Sequence, residues 1–255
     1  MKFSMIYIAL LITFIINQSV FSQSNDTMKM QQQPPNKEKS MKMGNEMEEV
    51  AHPFFSHMGV PDVVGSFNLR LSGLFTNNGG KNDGDFAFHF ETGLTNFVGI
   101  HIRNDGFLDR DHTELMFQFA ALRSKDGMSG FSPLIEFEFP TKPGGDRHTN
   151  VLVGFTTALA NSKMAFNQAL HYNSRTEEYE VNGAFVVKVG SRIYPVVEIF
   201  GEALPHEMPL FNILGGIKIR VSKKLIIGVA LQAPVTTRKD FTWQLVFQPD
   251  FEFGK

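Results

Sequence analysis

The sequence predicts an all-β chain, an antiparallel up-and-down transmembrane β-barrel of about twelve strands behind a disordered N-terminal tail. Three observations carry that expectation. The chain opens on an export-type leader, its body alternates apolar and polar residues with period 2, and its last strand ends in aromatics. The composition agrees. Among 255 residues, 24 are basic and 26 acidic, so no strongly basic surface exists for a nucleic-acid partner. Cys is 0, which excludes disulfides, thiolate chemistry and Cys-ligated metals. Apolar residues are ample, with 26 Phe, yet no run reaches the roughly 18 apolar residues of a spanning helix.

The leader comes first. Lys2 precedes the apolar run Met5 to Ile16, and Val20-Phe21-Ser22 supplies a small-residue cleavage site. Residues 1–22 therefore read as a secretory signal peptide.

Residues 23–62 read as a disordered periplasmic tail rich in Met, His and Gln. The segment carries Pro34-Pro35 and shows no apolar period, so it cannot offset its ordering entropy. Its methionines, Met28, Met30, Met41, Met43, Met47 and Met58, stand near His52 and His57. Thioether and imidazole donors on a flexible backbone suit Cu(I), so one expectation is copper-type metal capture. The other is a solvated tail with no ligand.

Residues 63–255 form the barrel. Phe67, Leu69, Leu71, Gly73 and Phe75 alternate with Asn68, Arg70 and Ser72. Phe86, Phe88 and Phe90 oppose Asp85, Ala87, His89 and Glu91, and Ile135, Phe137 and Phe139 oppose Glu136 and Glu138. Ile213, Ile217, Ile219 and Val221 alternate with Asn212, Lys218 and Arg220. Successive strand side chains point to opposite faces, so each run has an apolar and a polar face. Such runs fall at roughly 66–76, 85–92, 97–104, 113–123, 133–140, 150–160, 163–173, 177–190, 193–203, 209–221, 224–234 and 240–253. Loop-like stretches (TNNGGKNDG, NDGFLDRDH, TKPGGDRH, SRTEE, LPHEMP, TTRKD) alternate with mostly tight ones (TGLTN, NSK, VGSR, VSKK), the longer SKDGMSG being the exception. That is the two-rim pattern of an outer-membrane barrel. In the last run Trp243, Leu245, Phe247, Phe251 and Phe253 share a face, and Pro249 calls for a bulge or strand end. A soluble secreted β-sandwich binding protein has the same alternation, with water outside, and stays open as an alternative.

The stretch HPFFSHMGVPDVVGSFNLRLSGLF followed by GDFAFHFETGLTNFVGIHIRNDG resembles the opening of small bacterial outer-membrane barrels. The resemblance is to the loosely annotated transporter family related to the phenol-degradation-pathway porin-like proteins. It implies an outer-membrane location, contact with lipid, and delivery by the barrel assembly machinery, which the aromatic final strand also resembles a signal for.

On the barrel reading Arg70, His89, Glu91, His101, Arg103, Glu136, Glu138, Lys188, Glu198, Glu202, Lys218 and Arg220 line the lumen. Ionisable groups facing away from lipid are pathway candidates. No nucleophile elbow or zinc-protease helix occurs, so no enzyme is expected, and no cofactor beyond Cu(I) at the tail is implied. Passage of a small, unidentified solute is the leading functional expectation. Metal handling by the tail and a purely structural barrel remain the alternatives.

Overall fold

The structure, a computed structural model, describes residues 50–104, 106, 112–125, 127–141, 148–237 and 239–254. Its strands run β1 (Phe67–Asn78), β2 (Lys81–Gly93), β3 (Val98–Asn104), β4 (His112–Phe119), β5 (Leu122–Arg123), β6 (Gly130–Pro140), β7 (Asn150–Ala160), β8 (Met164–Asn173), β9 (Glu178–Val187), β10 (Ile193–Ala203), β11 (Leu210–Ser222), β12 (Leu225–Pro234) and β13 (Trp243–Phe253). Chain neighbours pair antiparallel except β4 with β5, β1 pairs with β13, and β4 pairs with β6, so the sheet closes. β5 continues β4 against β6 after a one-residue slip in register, from Gln118↔Leu134 to Leu122↔Phe131. Counted that way, the described residues form a closed barrel of twelve strands, and the sandwich alternative is excluded.

The barrel is apolar outside and ionic inside. Val197, Ile217 and Phe247 are about half exposed on the outer face, while Arg70, Glu198 and Lys218 are fully buried. The apolar face of a soluble sheet would be the buried one. Here it is the outward one, the arrangement that suits hydrocarbon. Ring pairs Phe67–Phe253 and Phe67–Phe90 mark the rim where β1 begins and β13 ends, called here the near rim. Phe75–Trp243 and Tyr172–Tyr179 mark the far rim. With 4 Tyr and 1 Trp in the chain, phenylalanine supplies most of these belts.

Two local expectations are revised. The TNNGGKNDG stretch is no long loop. β1 and β2 extend into it and are joined by Gly79-Gly80 alone, at φ +61° and +92°. Two successive positive φ values make a type I′ hairpin, whose twist matches that of the strands, and glycine adopts it without a Cβ penalty. Pro249 lies inside β13 rather than at an end. It pairs with Ile227 on β12, and the ladder to β1 lapses between Arg70↔Asp250 and Gly73↔Phe247. The missing N–H therefore falls where no bond is made.

The larger revision concerns the segment before β1. Residues 50–62, assigned to the tail by their sequence, lie inside the barrel. Val50, Ala51, His52, Phe54, Ser56 and His57 are all buried. Val50 and Asp62 both line a cavity with Arg123, Met128 and Asn161 near the near rim, so the segment loops into the bore and returns. A twelve-stranded barrel is wider than the eight-stranded kind that side chains alone can fill. The extra width accommodates this strap of main chain. The expected tail residues 23–49 and signal peptide 1–22 lie outside the described residues.

Candidate functional site in the barrel bore

Polar bonds from many strands hold the strap. The Glu198 carboxylate on β10 accepts from the backbone N–H groups of Phe54, Phe55 (3.1 Å) and Ser56 (2.8 Å), and from Ser56 Oγ (2.8 Å). Arg70 Nη1 donates to the carbonyls of Pro53 (3.0 Å) and Phe54 (3.3 Å), and Lys218 Nζ to that of Pro53 (2.9 Å). Gln248 Nε2 donates to Phe54 O at 2.9 Å, and Gln118 Nε2 to Met58 O at 2.8 Å. A backbone buried in a bore needs partners for its own N–H and C=O groups, and here the wall supplies them.

Close approach fixes two small-residue requirements. A Cβ on Gly59 would sit 2.2 Å from the β7 backbone at Thr157 and Ala158, so the strap lies directly against that strand. The Phe54 ring occupies a recess that Gly216 and Gly228 leave open, with Lys218 Nζ 4.8 Å from its centroid.

A histidine cluster gathers around the strap. The His57 ring lies 5.1 Å from His171, 5.7 Å from His89 and 5.8 Å from His101, centroid to centroid. Glu91 is the hub beside it. It accepts from Arg70 Nη2 and lies 3.1 Å from ring nitrogens of His52, His89 and His101. Arg103 donates to Glu114 and approaches His57 Nε2 at 3.2 Å. Lys218 pairs with Asp250 at 3.3 Å, and Arg220 with Glu252 at 3.0 Å. Among the described residues four sets of three ligand atoms lie within 4.8 Å of one another: His57/His89/His101, His57/Glu136/His171, His52/Asp62/Glu91 and His112/Glu114/Glu138.

Of the residues expected to line the lumen, Arg70, His89, Glu91, His101, Arg103, Glu136, Glu138, Glu198 and Lys218 are buried within the barrel. Glu202 and Arg220 are half-buried near strand ends. Lys188 is also half-buried but follows the end of β9, in the near-rim turn, so it does not line the bore from a strand. The tail ligand set is split. His52, His57 and Met58 belong to the strap, whereas Met28, Met30, Met41, Met43 and Met47 lie outside the described residues. Sequence reasoning missed Glu114, Gln118, His171 and Asp250. Each is in phase with an inward residue of its strand: His171 with Asn167 and Asn173, Glu114 with Met116 and Gln118.

No family model matches the chain, and no curated protein matches it. Solved structures do. The NanC porin is similar over 73% of this chain and 99% of its own, at 9% identity and a TM-score of 0.53. An outer membrane channel from Pseudomonas putida F1 is similar over 76% of this chain and 98% of its own, at 8% identity and a TM-score of 0.55. The resemblance to the phenol-degradation-pathway porin-like proteins thus gains no family assignment. What the chain shares with both structures is the fold of an outer-membrane porin-type β-barrel.

Proposed function

We propose that the chain is an outer-membrane channel for a small solute, held shut in this state by residues 50–62 lying in its own bore. The observation that carries the reading is how the strap is anchored. Its main chain is held by side-chain donors and acceptors of the wall, and water can replace such partners at small net cost. The fold likeness to two channel structures supports the class. The outward apolar belt supports residence in the outer membrane, reached through the leader and the barrel assembly machinery. The reading includes no catalytic step.

Charge narrows the solute. Among the described residues the buried acids are Glu91, Glu114, Glu136, Glu138, Glu198, Asp250 and Glu252, against the buried bases Arg70, Arg103 and Lys218. Such a bore favours cationic or neutral solutes over anions. Planar-bilayer recording on the full chain and on a chain lacking residues 50–62 tests this. Small, rarely opening currents are expected of the first, and larger, cation-selective currents of the second. A deletion variant that folds and is silent, or that selects anions, refutes the reading.

A further inference from the structure

We propose that His57, Glu136 and His171 form a Zn²⁺-type transition-metal site that fastens the strap to the barrel wall. The site goes beyond solute passage and stands whether or not the bore ever opens.

His57 belongs to the strap, Glu136 to β6 and His171 to β8, and each is about 1% exposed. Their ligand atoms lie within 4.8 Å of one another. His171 Nδ1 and Glu136 Oε2 are 3.4 Å apart. Two donors each about 2.0–2.1 Å from a tetrahedral ion are separated by about 3.3–3.4 Å, so this edge already has the spacing of a filled site. The third corner requires the His57 ring, which stacks on His171 at an interplanar angle of 30°, to turn a nitrogen toward that edge.

Hydrogen bonding singles this triad out from the other three. Glu91 is bound by Arg70, Glu114 by Arg103, Glu138 by Asn150, and His101 by Gln118. By contrast both ring nitrogens of His171 and both carboxylate oxygens of Glu136 are buried without a hydrogen bond, and His57, like His101, keeps one ring nitrogen unbonded. Buried polar atoms are normally satisfied, and a group of orphans aimed at one another marks a place for an ion. Two imidazoles and one carboxylate are a borderline-soft N/O set. It suits Zn²⁺, Ni²⁺ or Cu²⁺ rather than the Cu(I) expected of methionine thioethers. A divalent ion is also welcome beside Glu114 and Glu138 on the neighbouring wall.

The His57 tautomer sets the proton balance. Where Nε2 accepts from Arg103, Nδ1 carries the proton. Metal on Nδ1 requires that proton to move to Nε2, with no net release, and Arg103 Nη1 to swing aside. Arg103 remains tied to Glu114 through Nε.

The test is Zn²⁺ and Co²⁺ titration of the full chain in detergent, with Glu136→Gln, His171→Gln and His57→Gln compared in parallel. One tightly held ion per chain is expected, with a tetrahedral Co²⁺ visible spectrum, and each variant should weaken binding at least about tenfold. Two controls should keep the ion: His112→Gln in the neighbouring triad, and a chain with Met28, Met30, Met41, Met43 and Met47 changed to Leu. Zn²⁺ should also slow amide hydrogen exchange over residues 54–58. Heat-modifiable gel mobility confirms that each variant is folded. An octahedral Co²⁺ spectrum, binding unchanged in all three variants, or loss of the ion with His112→Gln or the Met changes would overturn the proposal.

Discussion

Replacing Glu198 by Ala is the sharpest test of what holds the strap in the bore. One carboxylate accepts four hydrogen bonds from three consecutive residues, Phe54, Phe55 and Ser56. Phe54 and Ser56 are buried, so water does not reach their amides in the native state. Leaving a buried donor unsatisfied costs about 1–3 kcal/mol. Three backbone donors at the low end of that range give about 3 kcal/mol, the lower figure being apt because water can enter the space the carboxylate vacates. At about 1.4 kcal/mol per tenfold, strap release becomes roughly a hundredfold more frequent. Hydrogen exchange read at the amides of residues 54–56 should accelerate by that order, while exchange in the β10–β11 ladder stays near wild type. Bilayer recording should show openings correspondingly more often. Glu198→Gln, which keeps one acceptor oxygen, should fall between. A folded Glu198→Ala chain whose 54–56 amides exchange less than threefold faster refutes the view that this carboxylate is the main polar anchor.

Three further outcomes follow from the same geometry. Ile217→Arg puts a charge on the outward face midway along β11, where Ile217 is 51% exposed. It should destabilise the barrel in lipid vesicles by about 2–4 kcal/mol in urea titrations, and no change would place that face away from hydrocarbon. Lys218→Met strands the buried Asp250 and should cost about 3–5 kcal/mol, whereas adding Asp250→Asn should recover a substantial part; failure of the double variant to recover would show that Lys218 acts through Pro53 and Phe54 instead. Gly80→Val meets no neighbouring atom at its Cβ but imposes φ +92° on a β-branched residue. It should therefore cost about 1–2 kcal/mol in the same titration through backbone strain alone, and a neutral result would argue against the type I′ turn.

The barrel was legible because its pattern is local. Period 2 fixes which residues share a face, and runs such as Phe86 to Glu91 state it without neighbours. Alternation alone left open whether the apolar face turned outward or against a second sheet, and closure through β4–β6 with the exposure of Val197, Ile217 and Phe247 turns it outward. The strap was not legible, because its partners are remote in sequence: Phe54 and Glu198 are 144 residues apart, Phe54 and Gln248 194 apart. No short-range period records such contacts. One cue was nevertheless present. From Val50 to Pro61 there is no Asp, Glu, Lys or Arg, unlike the preceding KEKSMKMGNEMEE, and a charge-free stretch containing Phe54, Phe55 and Val60 is poor material for a solvated tail. The histidine cluster was half visible. His89 and His101 stood out on their strands, but their convergence with His57 and His171 depends on the strap entering the bore.

The strap's polar and apolar contacts contribute differently to a closed state. Its carbonyls take donors from Arg70, Lys218 and Gln248, and its amides give to Glu198. In an open bore water would take each of those places, so the exchange of partners is close to balanced even though losing any single partner is costly. The apolar contacts have no such substitute. Phe54 is buried with Val50 and Ala51 against Leu214, Ile226 and Val246, and leaving the bore would return that surface to water. Burying a Phe side chain is worth about 1.5–3 kcal/mol, so this ring sets the bias toward closure while the polar bonds set its register. Phe54→Ala should raise channel opening roughly tenfold to a hundredfold without altering the pattern of exchange protection in the closed state. Gly228→Val, which would intrude on the ring's recess at 2.6 Å, should do the same from the wall side. If Phe54→Ala leaves opening unchanged while Glu198→Gln raises it, polar anchoring rather than ring burial governs closure.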